Sequence, residues 1–219
     1  MKSVKVLKRV LCVIFSLAIV FSLASVMAAS AAGNEPVARL YLCSNWRKLY
    51  STPHAFIYVE NLSGKDIKVG AYTCHKGEGV SVGTSAFAQI NGFGVYYNLE
   101  SYNGNKRGLD NCVYMVRDIT ASELSSMSDF IVNHNYWEAI ALNCVYFAVG
   151  CWNRAGGDHI MPIDLPPHIL RAEIKNHPHG QDDLKMYYPD SSRVYKQRGS
   201  GSGAYLEPVR DSALNCTIG

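Results

Sequence analysis

The sequence predicts an α+β fold in which an antiparallel β-sheet packs against a few helices. Segments rich in β-branched and aromatic residues fill the chain from about residue 38 to residue 117. Apolar residues at helical spacing begin only near residue 120. Tyrosine occurs 14 times and glycine 18 times, which suits strands and turns. Strands that come first and helices that come later are typical of the α+β class.

The N-terminal residues predict an export signal ahead of the folded domain. Basic residues open the chain, an apolar run extends from Val10 to Met27, and small residues follow. This pattern is typical of a secretory signal peptide, with Ala29-Ser30-Ala31 as the best cleavage match. The alternative is an uncleaved anchor, because about 18 apolar residues could just span a bilayer. We expect a signal peptide over residues 1–31 and a secreted, extracellular or wall-associated domain over residues 32–219.

Removing the signal changes the charge balance. The whole chain has 21 basic and 18 acidic residues, and the signal carries four of the basic ones, which leaves 17 against 18. A domain so close to neutrality gives no reason to expect nucleic acid as a partner. No second apolar run is long enough to span a membrane, so no membrane contact is expected after cleavage. The sequence leaves the oligomeric state open.

No cofactor or metal is expected. The sequence has no phosphate-binding loop and no nucleotide signature. His177 and His179 place two imidazoles close together, but without clear further ligands.

Cys12 leaves with the signal, and six cysteines remain in the exported domain. An even number of cysteines in an exported protein favours disulfides. Six cysteines allow 15 pairings, among which the sequence does not choose. The six are Cys43, Cys74, Cys112, Cys144, Cys151 and Cys216.

The strands are predicted from short β-rich segments bounded by turn residues. The first is Ala38–Leu42. The strongest prediction is a hairpin in which His54–Glu60 and Ile67–Thr73 pair across the turn Asn61–Asp66. Further strands are expected at Gly79–Gly83, Gly94–Leu99 and Cys112–Arg117, with a last strand or extended tail at Tyr205–Val209.

Three helices are predicted behind these strands. Thr120-Ala121-Ser122-Glu123 is a capping box that opens a helix over residues 121–132. A second, apolar helix is centred on Cys144 to Trp152, and a third begins at Pro166-Pro167 and covers residues 167–175. We therefore expect a single domain with a core over about residues 38–175 and a C-terminal extension over residues 176–219.

The start of the second helix is the candidate catalytic position. Asn143 is a good N-cap residue, which places Cys144 in the first turn. The partial positive charge of a helix N-terminus lowers the pKa of a thiol there. The base that we favour among the seven histidines is His54, at the head of the best-predicted strand. A cysteine on an apolar helix is more often a core residue than a catalyst, and Cys151, seven residues further on, is interpreted that way.

The predicted hairpin also suggests a third polar group. If Ser63-Gly64 is the turn, His54 lies opposite Thr73, and His75 lies one diagonal step away on the same face. Either side chain could orient the imidazole of His54. A slip of one residue would put Tyr72 or Cys74 there instead.

The order of these motifs resembles a known superfamily. His-Ala-Phe-Ile-Tyr-Val from His54 opens a strand, and Asn-Cys-x-x-Phe-Ala from Asn143 opens a helix. This resembles the circularly permuted branch of the NlpC/P60 papain-like superfamily, which includes the lecithin–retinol acyltransferase-like proteins. The resemblance implies a papain-like fold, with Cys144 as nucleophile and His54 as base.

A closer similarity is to a group of small secreted proteins of Gram-positive bacteria. It covers about residues 50–175. The matching stretches are His54-Ala55-Phe56, Asn61-Leu62-Ser63-Gly64, Gly83-Thr84, Tyr97-Asn98-Leu99-Glu100, Ile119-Thr120 and the segments from Asn143-Cys144 to Trp152-Asn153. That family commonly has His, Asn or Gln as its third polar residue, whereas the residue opposite His54 in the predicted register is Thr73.

Three functions remain open from the sequence. The first is a secreted cysteine hydrolase that cleaves an amide or peptide bond, with cell-wall peptide as the substrate that the resemblance and export suggest. The second is an acyltransferase or thioesterase that uses the same pair of residues. The third is a non-catalytic binding module on the same scaffold, which recognises wall glycans or another protein through its many tyrosines.

Overall fold

The computed structural model describes residues 34–46, 53–85, 93–107, 112–136, 143–160, 166–210 and 214. The predicted signal peptide and Cys216 lie outside these residues. Pro36–Gly219 form one compact unit. No helix in the described part of the chain is both long and apolar enough to cross a membrane.

The described residues form ten β-strands and four α-helices, which confirms the α+β class and the large antiparallel sheet. The strands are β1 (Pro36–Trp46), β2 (Pro53–Asn61), β3 (Ile67–Val69), β4 (Tyr72–Cys74), β5 (Gly79–Ser85), β6 (Gly94–Tyr97), β7 (Val113–Thr120), β8 (Gln181–Asp182), β9 (Tyr195–Arg198) and β10 (Tyr205–Pro208). The helices are α1 (Leu99–Arg107), α2 (Ala121–Asn133), α3 (Cys144–Arg154) and α4 (Pro167–Asn176).

Eight strands form one sheet in the order β10-β9-β6-β5-β2-β1-β7-β8. Each neighbouring pair in it is antiparallel. β2 therefore lies near the centre, between β1 and β5. The sheet ends at β10 on one side and at the two-residue strand β8 on the other.

The central strands are buried on both faces. Leu40, Leu42 and Ile57 belong to the large core that includes the apolar faces of α2, α3 and α4. Cys43 and Phe56 point the other way, into a second cluster closed by residues that include Leu184 and Met186. Successive side chains of a strand point to opposite faces, so this division follows directly from the alternation along β1 and β2.

α2 begins where its sequence cap predicts. Glu123 N donates to Thr120 Oγ1 over 3.4 Å, and Thr120 N donates to Glu123 Oε2 over 2.8 Å, which confirms the capping box. α1 was not predicted. The strand expected over Gly94–Leu99 ends at Tyr97, because Asn98 adopts a left-handed φ of 64° that turns the chain into α1.

The predicted hairpin is wrong. β2 pairs with β1 and β5, whereas β3 and β4 pair only with each other in a separate two-stranded sheet. Ile67 is opposite Cys74, and Thr73 is opposite Lys68. The turn in this small hairpin lies at Gly70 and Ala71, where Gly70 has a φ of 57°. The local turn residues at Ser63-Gly64 therefore connect β2 to a different sheet.

The C-terminal segment takes part in the sheet. β8 pairs with the start of β7, and β9 joins β6 and carries β10. The predicted final strand is confirmed as β10. Residues 181–208 thus contribute strands at both ends of the sheet, although the sequence suggested an extension beyond the core.

Candidate functional site

The N-terminus of α3 is built as the sequence predicts. The Asn143 Oδ1 accepts hydrogen bonds from Val145 N over 2.9 Å and from Tyr146 N over 3.2 Å. Asn143 is therefore the N-cap, and Cys144 is the first helical residue. The Cys144 side chain is buried and belongs to the large core. The confirmed cap leaves the helix dipole directed at this cysteine.

His54 makes a close contact with a carboxylate that the sequence reasoning did not single out. The distance from His54 Nε2 to Glu100 Oε1 is 3.1 Å, and the two side chains are 12% and 3% exposed. Glu100 lies in the first turn of α1. A Cβ atom on Gly83 would lie 3.6 Å from His54 Nε2, so this glycine borders the imidazole. The structure thus assembles a buried histidine–glutamate pair.

The register of β2 sets the direction in which His54 points. His54 is opposite Asn45 and Phe56 is opposite Cys43 in an uninterrupted ladder. His54 therefore shares its face with Phe56, and their rings lie 6.3 Å apart in a stacked arrangement. Ala55, on the other face, belongs to the core of α3. The backbone register thus directs His54 away from the face on which Cys144 is packed.

Thr73 and His75 have partners of their own. Thr73 Oγ1 accepts a hydrogen bond from Lys68 Nζ over 2.7 Å. His75 Nδ1 lies 2.8 Å from Asp66 Oδ2, with both side chains more than half exposed. The hydrogen bond from His75 lowers the pKa of Asp66. Both residues therefore belong to the separate β3–β4 region. The expectation that Thr73 lies opposite His54 in a hairpin, with His75 one diagonal step away, is wrong.

The other described cysteines are buried. Burial raises the pKa of Cys74 to about 12 and holds the pKa of Cys43 and Cys151 well above the ordinary value. The thiolate form is the nucleophile, so a raised pKa makes a thiol unreactive near neutral pH. These three side chains act as core residues, as the sequence suggested for Cys151.

The outer edge of β7 is paired along only part of its length. Residues Pro36–Ser44 of β1 pair with the inner edge of β7. On the outer side, β8 pairs with Val113 and Tyr114. Among the described residues, no strand pairs with the outer edge from Met115 to Thr120. Unpaired strand edges can accept another strand.

Two grooves flank this open edge. The first, which we call the tyrosine groove, has a volume of about 380 Å³ and is lined by Arg39, Tyr41, Tyr114, Val116, Arg117, Asp118 and Gln181. The second, the tryptophan groove, has a volume of about 420 Å³ and is lined by Met115, Val116, Arg117, Asp118, Trp152, Gly156, Gly157, Asp158, His177 and His179. Val116, Arg117 and Asp118 border both grooves, so the open edge runs between them.

The charged residues of the edge are held by partners within the chain. Arg39 donates to Asp118 through Nε over 2.7 Å and through Nη2 over 3.2 Å. Arg117 Nη2 donates to Glu123 Oε1 over 2.9 Å. Edge charges usually deter pairing with another strand. Here the ion pairs with Asp118 and Glu123 offset the charges of Arg39 and Arg117, which weakens that deterrent.

The tryptophan groove contains a buried donor. The Trp152 side chain is 4% exposed, and its indole Nε1 has no hydrogen-bond partner among the described residues. A Cβ atom on Gly157 would lie 2.2 Å from Nε1. Gly157, which lines the groove, therefore lies directly against this donor. A buried donor without a partner costs about 1–3 kcal/mol, which an incoming acceptor could recover.

The structure offers no assembled metal centre in its described part. His179 N donates to His177 Nδ1 over 3.2 Å, so these two histidines contact each other. No group of three or more His, Cys, Asp or Glu side chains in the described ranges could hold a metal ion.

Comparisons with known proteins add no identification. No protein-family model matches the chain, and neither the curated proteins nor the solved structures include a match.

Sequence reasoning missed two parts of the site. Glu100 stood in the stretch Tyr97-Asn98-Leu99-Glu100 that supports the family resemblance, but nothing local links it to a histidine 46 positions earlier. The open edge of β7 depends on the strand order, which no local pattern reveals.

Proposed function

We propose that this domain is a polypeptide-binding module, in which an extended segment of a partner adds as a strand along the outer edge of β7. This is the binding alternative that the sequence left open. The observation that carries it is the open stretch from Met115 to Thr120 with a groove on each face.

Strand addition accounts for both grooves at once. An added strand forms main-chain hydrogen bonds with the edge, and its alternate side chains point to opposite faces of the sheet. Side chains on one face would enter the tyrosine groove, against Tyr41 and Tyr114. Side chains on the other face would enter the tryptophan groove, against Met115 and Trp152. Main-chain bonds would supply affinity, and the two grooves would supply sequence preference.

The chain provides a precedent at the same edge. β8 is only two residues long, yet it pairs antiparallel with Val113 and Tyr114 at the start of β7. Tyr114 Oη also donates to Gln181 Oε1 over 3.0 Å. A partner strand would continue this pairing along the edge beyond β8.

The test uses the full chain and a library of short synthetic peptides. Peptides that bind are remade with N-methyl groups on either the odd or the even residues. Only alternate N–H groups of an added strand face its neighbour. Methylation of one set should therefore abolish binding, and methylation of the other set should be tolerated. Equal loss from both sets, or no loss from either, would refute strand addition.

A matched pair of variants locates the site. Val116→Lys changes the residue between the two grooves, whereas Leu206→Lys changes β10 at the opposite end of the sheet. We expect at least a tenfold weaker affinity for Val116→Lys, equivalent to about 1.4 kcal/mol, and unchanged binding for Leu206→Lys. Equal effects of the two substitutions would exclude the β7 edge.

A cysteine hydrolase on a papain-like scaffold is the second candidate. It is favoured by the capped helix start at Cys144 and by the buried His54–Glu100 pair. In that mechanism Cys144 would attack the carbonyl carbon, His54 would take and return the proton, and Glu100 would orient His54. Backbone N–H groups at the start of α3 would stabilise the oxyanion.

Thiol reactivity distinguishes the two candidates. The hydrolase requires rapid alkylation of Cys144 near neutral pH, which His54→Ala should slow. His75→Ala, on an exposed histidine that contacts Asp66, serves as the control. Because the β2 register directs His54 away from α3, we expect slow alkylation that neither variant changes. Fast labelling that depends on His54 alone would favour the hydrolase.

A further inference from the structure

The alternation along β7 determines which residues of an added strand enter the tryptophan groove. Met115 belongs to the large core together with Trp152, whereas Tyr114 and Val116 pack against the second cluster. Arg117, two residues after Met115, shares the face of Met115. Residues paired across two strands project to the same face of the sheet. The partner residues opposite Met115 and Arg117 would therefore project into the tryptophan groove.

The wall of this groove contains hydrogen-bond donors. Trp152 lines the groove and is 4% exposed, and its indole Nε1 has no partner among the described residues. An indole nitrogen can only donate. His177 Nδ1 accepts a hydrogen bond from His179 N, so the ring proton of neutral His177 is on Nε2, which is a second donor. A partner side chain with an acceptor oxygen would satisfy a donor that an alkyl side chain leaves unpaired.

The charges at the groove favour an uncharged acceptor. The ion pairs described above already engage Arg117 and Asp118. Asp158 also lines the groove and is exposed. A carboxylate in the groove would face the like charge of Asp158, and an ammonium group has no acceptor for Trp152 Nε1. A carboxamide is neutral and has both an acceptor oxygen and an N–H₂ donor.

We propose that the partner segment carries a carboxamide side chain, Asn or Gln, at a position that enters the tryptophan groove. This inference rests on the strand addition to β7 proposed above. The carboxamide oxygen accepts a hydrogen bond from Trp152 Nε1, and the carboxamide nitrogen donates to the Asp158 carboxylate. A site built to hydrogen-bond a ligand group rejects an analogue that lacks the group, because its own polar atoms then stay unpaired.

The experiment measures the affinity of the full chain for peptides that bind with the alternating N-methyl pattern. Each residue of such a peptide is replaced in turn by Gln, Glu and Met, three side chains of similar length. At one residue, or at two residues spaced two apart, we expect Gln to bind about tenfold more tightly than Met. At the same position Gln should bind about threefold more tightly than Glu. The residues between should show neither preference, because their side chains face the tyrosine groove.

Two variants assign the preference to the groove. Trp152→Phe removes the indole donor, so the preference for Gln over Met should fall to about twofold or less. Asp158→Asn, on an exposed residue, should abolish the preference for Gln over Glu. Asp129→Asn is the control of equal charge change, because Asp129 is exposed and lines neither groove. If Trp152→Phe does not fold, as judged by circular dichroism, the Asp158→Asn comparison and the preferences of the unaltered chain decide.

The outcomes separate this inference from the proposed function. Peptides that bind with the alternating N-methyl pattern but accept Gln, Glu and Met equally at every residue would overturn the inference alone. A preference for Gln that Trp152→Phe and Asp158→Asn leave unchanged would also overturn it. Loss of the alternating pattern itself would overturn strand addition, and the inference with it.

Discussion

Replacing Tyr97 with phenylalanine would remove one hydroxyl group from a buried network. Tyr97 is fully buried. Its Oη accepts a hydrogen bond from Ala71 N over 3.1 Å and donates to Gln197 Oε1 over 2.8 Å. Gln197 Nε2 in turn donates to Val132 O over 3.1 Å. One hydroxyl thus connects β6 to the β3–β4 turn and to β9, and burial raises the pKa of Tyr97.

The cost follows from the two groups left without a partner. Gln197 is fully buried, so its amide oxygen would bear a desolvation penalty of about 1–3 kcal/mol. Ala71 is only partly buried, and its N–H would lose less because water can reach it. We expect Tyr97→Phe to lower the free energy of unfolding by about 2–4 kcal/mol. For a domain of this size, that corresponds to a fall in Tm of roughly 5–15 °C.

The assay is thermal and denaturant unfolding followed by far-ultraviolet circular dichroism. Tyr205→Phe is the matched control, because Tyr205 is 62% exposed and should change stability by less than about 0.5 kcal/mol. A second change, Gln197→Leu in the Tyr97→Phe background, should restore part of the loss, because it removes the unsatisfied amide. A Tyr97→Phe protein as stable as the unaltered chain would refute the argument.

Three further predictions concern stability. Arg193 binds Glu78 through two hydrogen bonds of 2.7 and 2.5 Å, which lower the pKa of Glu78 below its ordinary value of 4.5. The contribution of this ion pair to the free energy of unfolding is present above pH 4.5 and is lost as the pH falls through the lowered pKa of Glu78. Arg193→Met should therefore lower the free energy of unfolding by about 2 kcal/mol near pH 7 and by little in acid, as measured by denaturant titration at each pH. Asn143→Ala should cost about 1 kcal/mol and speed hydrogen exchange of the first amides of α3; unchanged exchange would contradict the cap. Gly70→Ala should lower the free energy of unfolding by about 2–4 kcal/mol in urea melts, because Gly70 has a positive φ and the added Cβ would lie 2.4 Å from Tyr97 Oη. Gly64→Ala is the control and should be neutral, because open space surrounds that position.

The helix caps are predictions that depended on near neighbours in sequence, and the structure confirms them. The Thr120–Glu123 capping box and the Asn143 cap join groups within three residues of each other. Such hydrogen bonds form whatever surrounds the helix, so the residues alone predict them. The alternation of β2 is equally local, since consecutive side chains of any strand point to opposite faces.

The predicted hairpin is wrong because strand pairing is a long-range choice. Ser63-Gly64 and two β-rich segments satisfied the local requirements of a hairpin. In the folded chain, β2 instead pairs with β1 and β5, which cover both of its edges. Because the observed pairing differs from the predicted hairpin, Thr73 lies opposite Lys68, and Glu100 is the described partner of His54.

The amino-acid sequence by itself determined the α+β class, the starts of α2, α3 and α4, the position of Cys144 behind its cap and the alternating pattern of the central strands. These properties depend on interactions over a few residues. Only the tertiary structure decided which strands are neighbours, which face His54 occupies and that part of the β7 edge stays open. Each of these depends on the pairing of segments far apart in the chain, where a shift of one residue reverses every side chain of a strand.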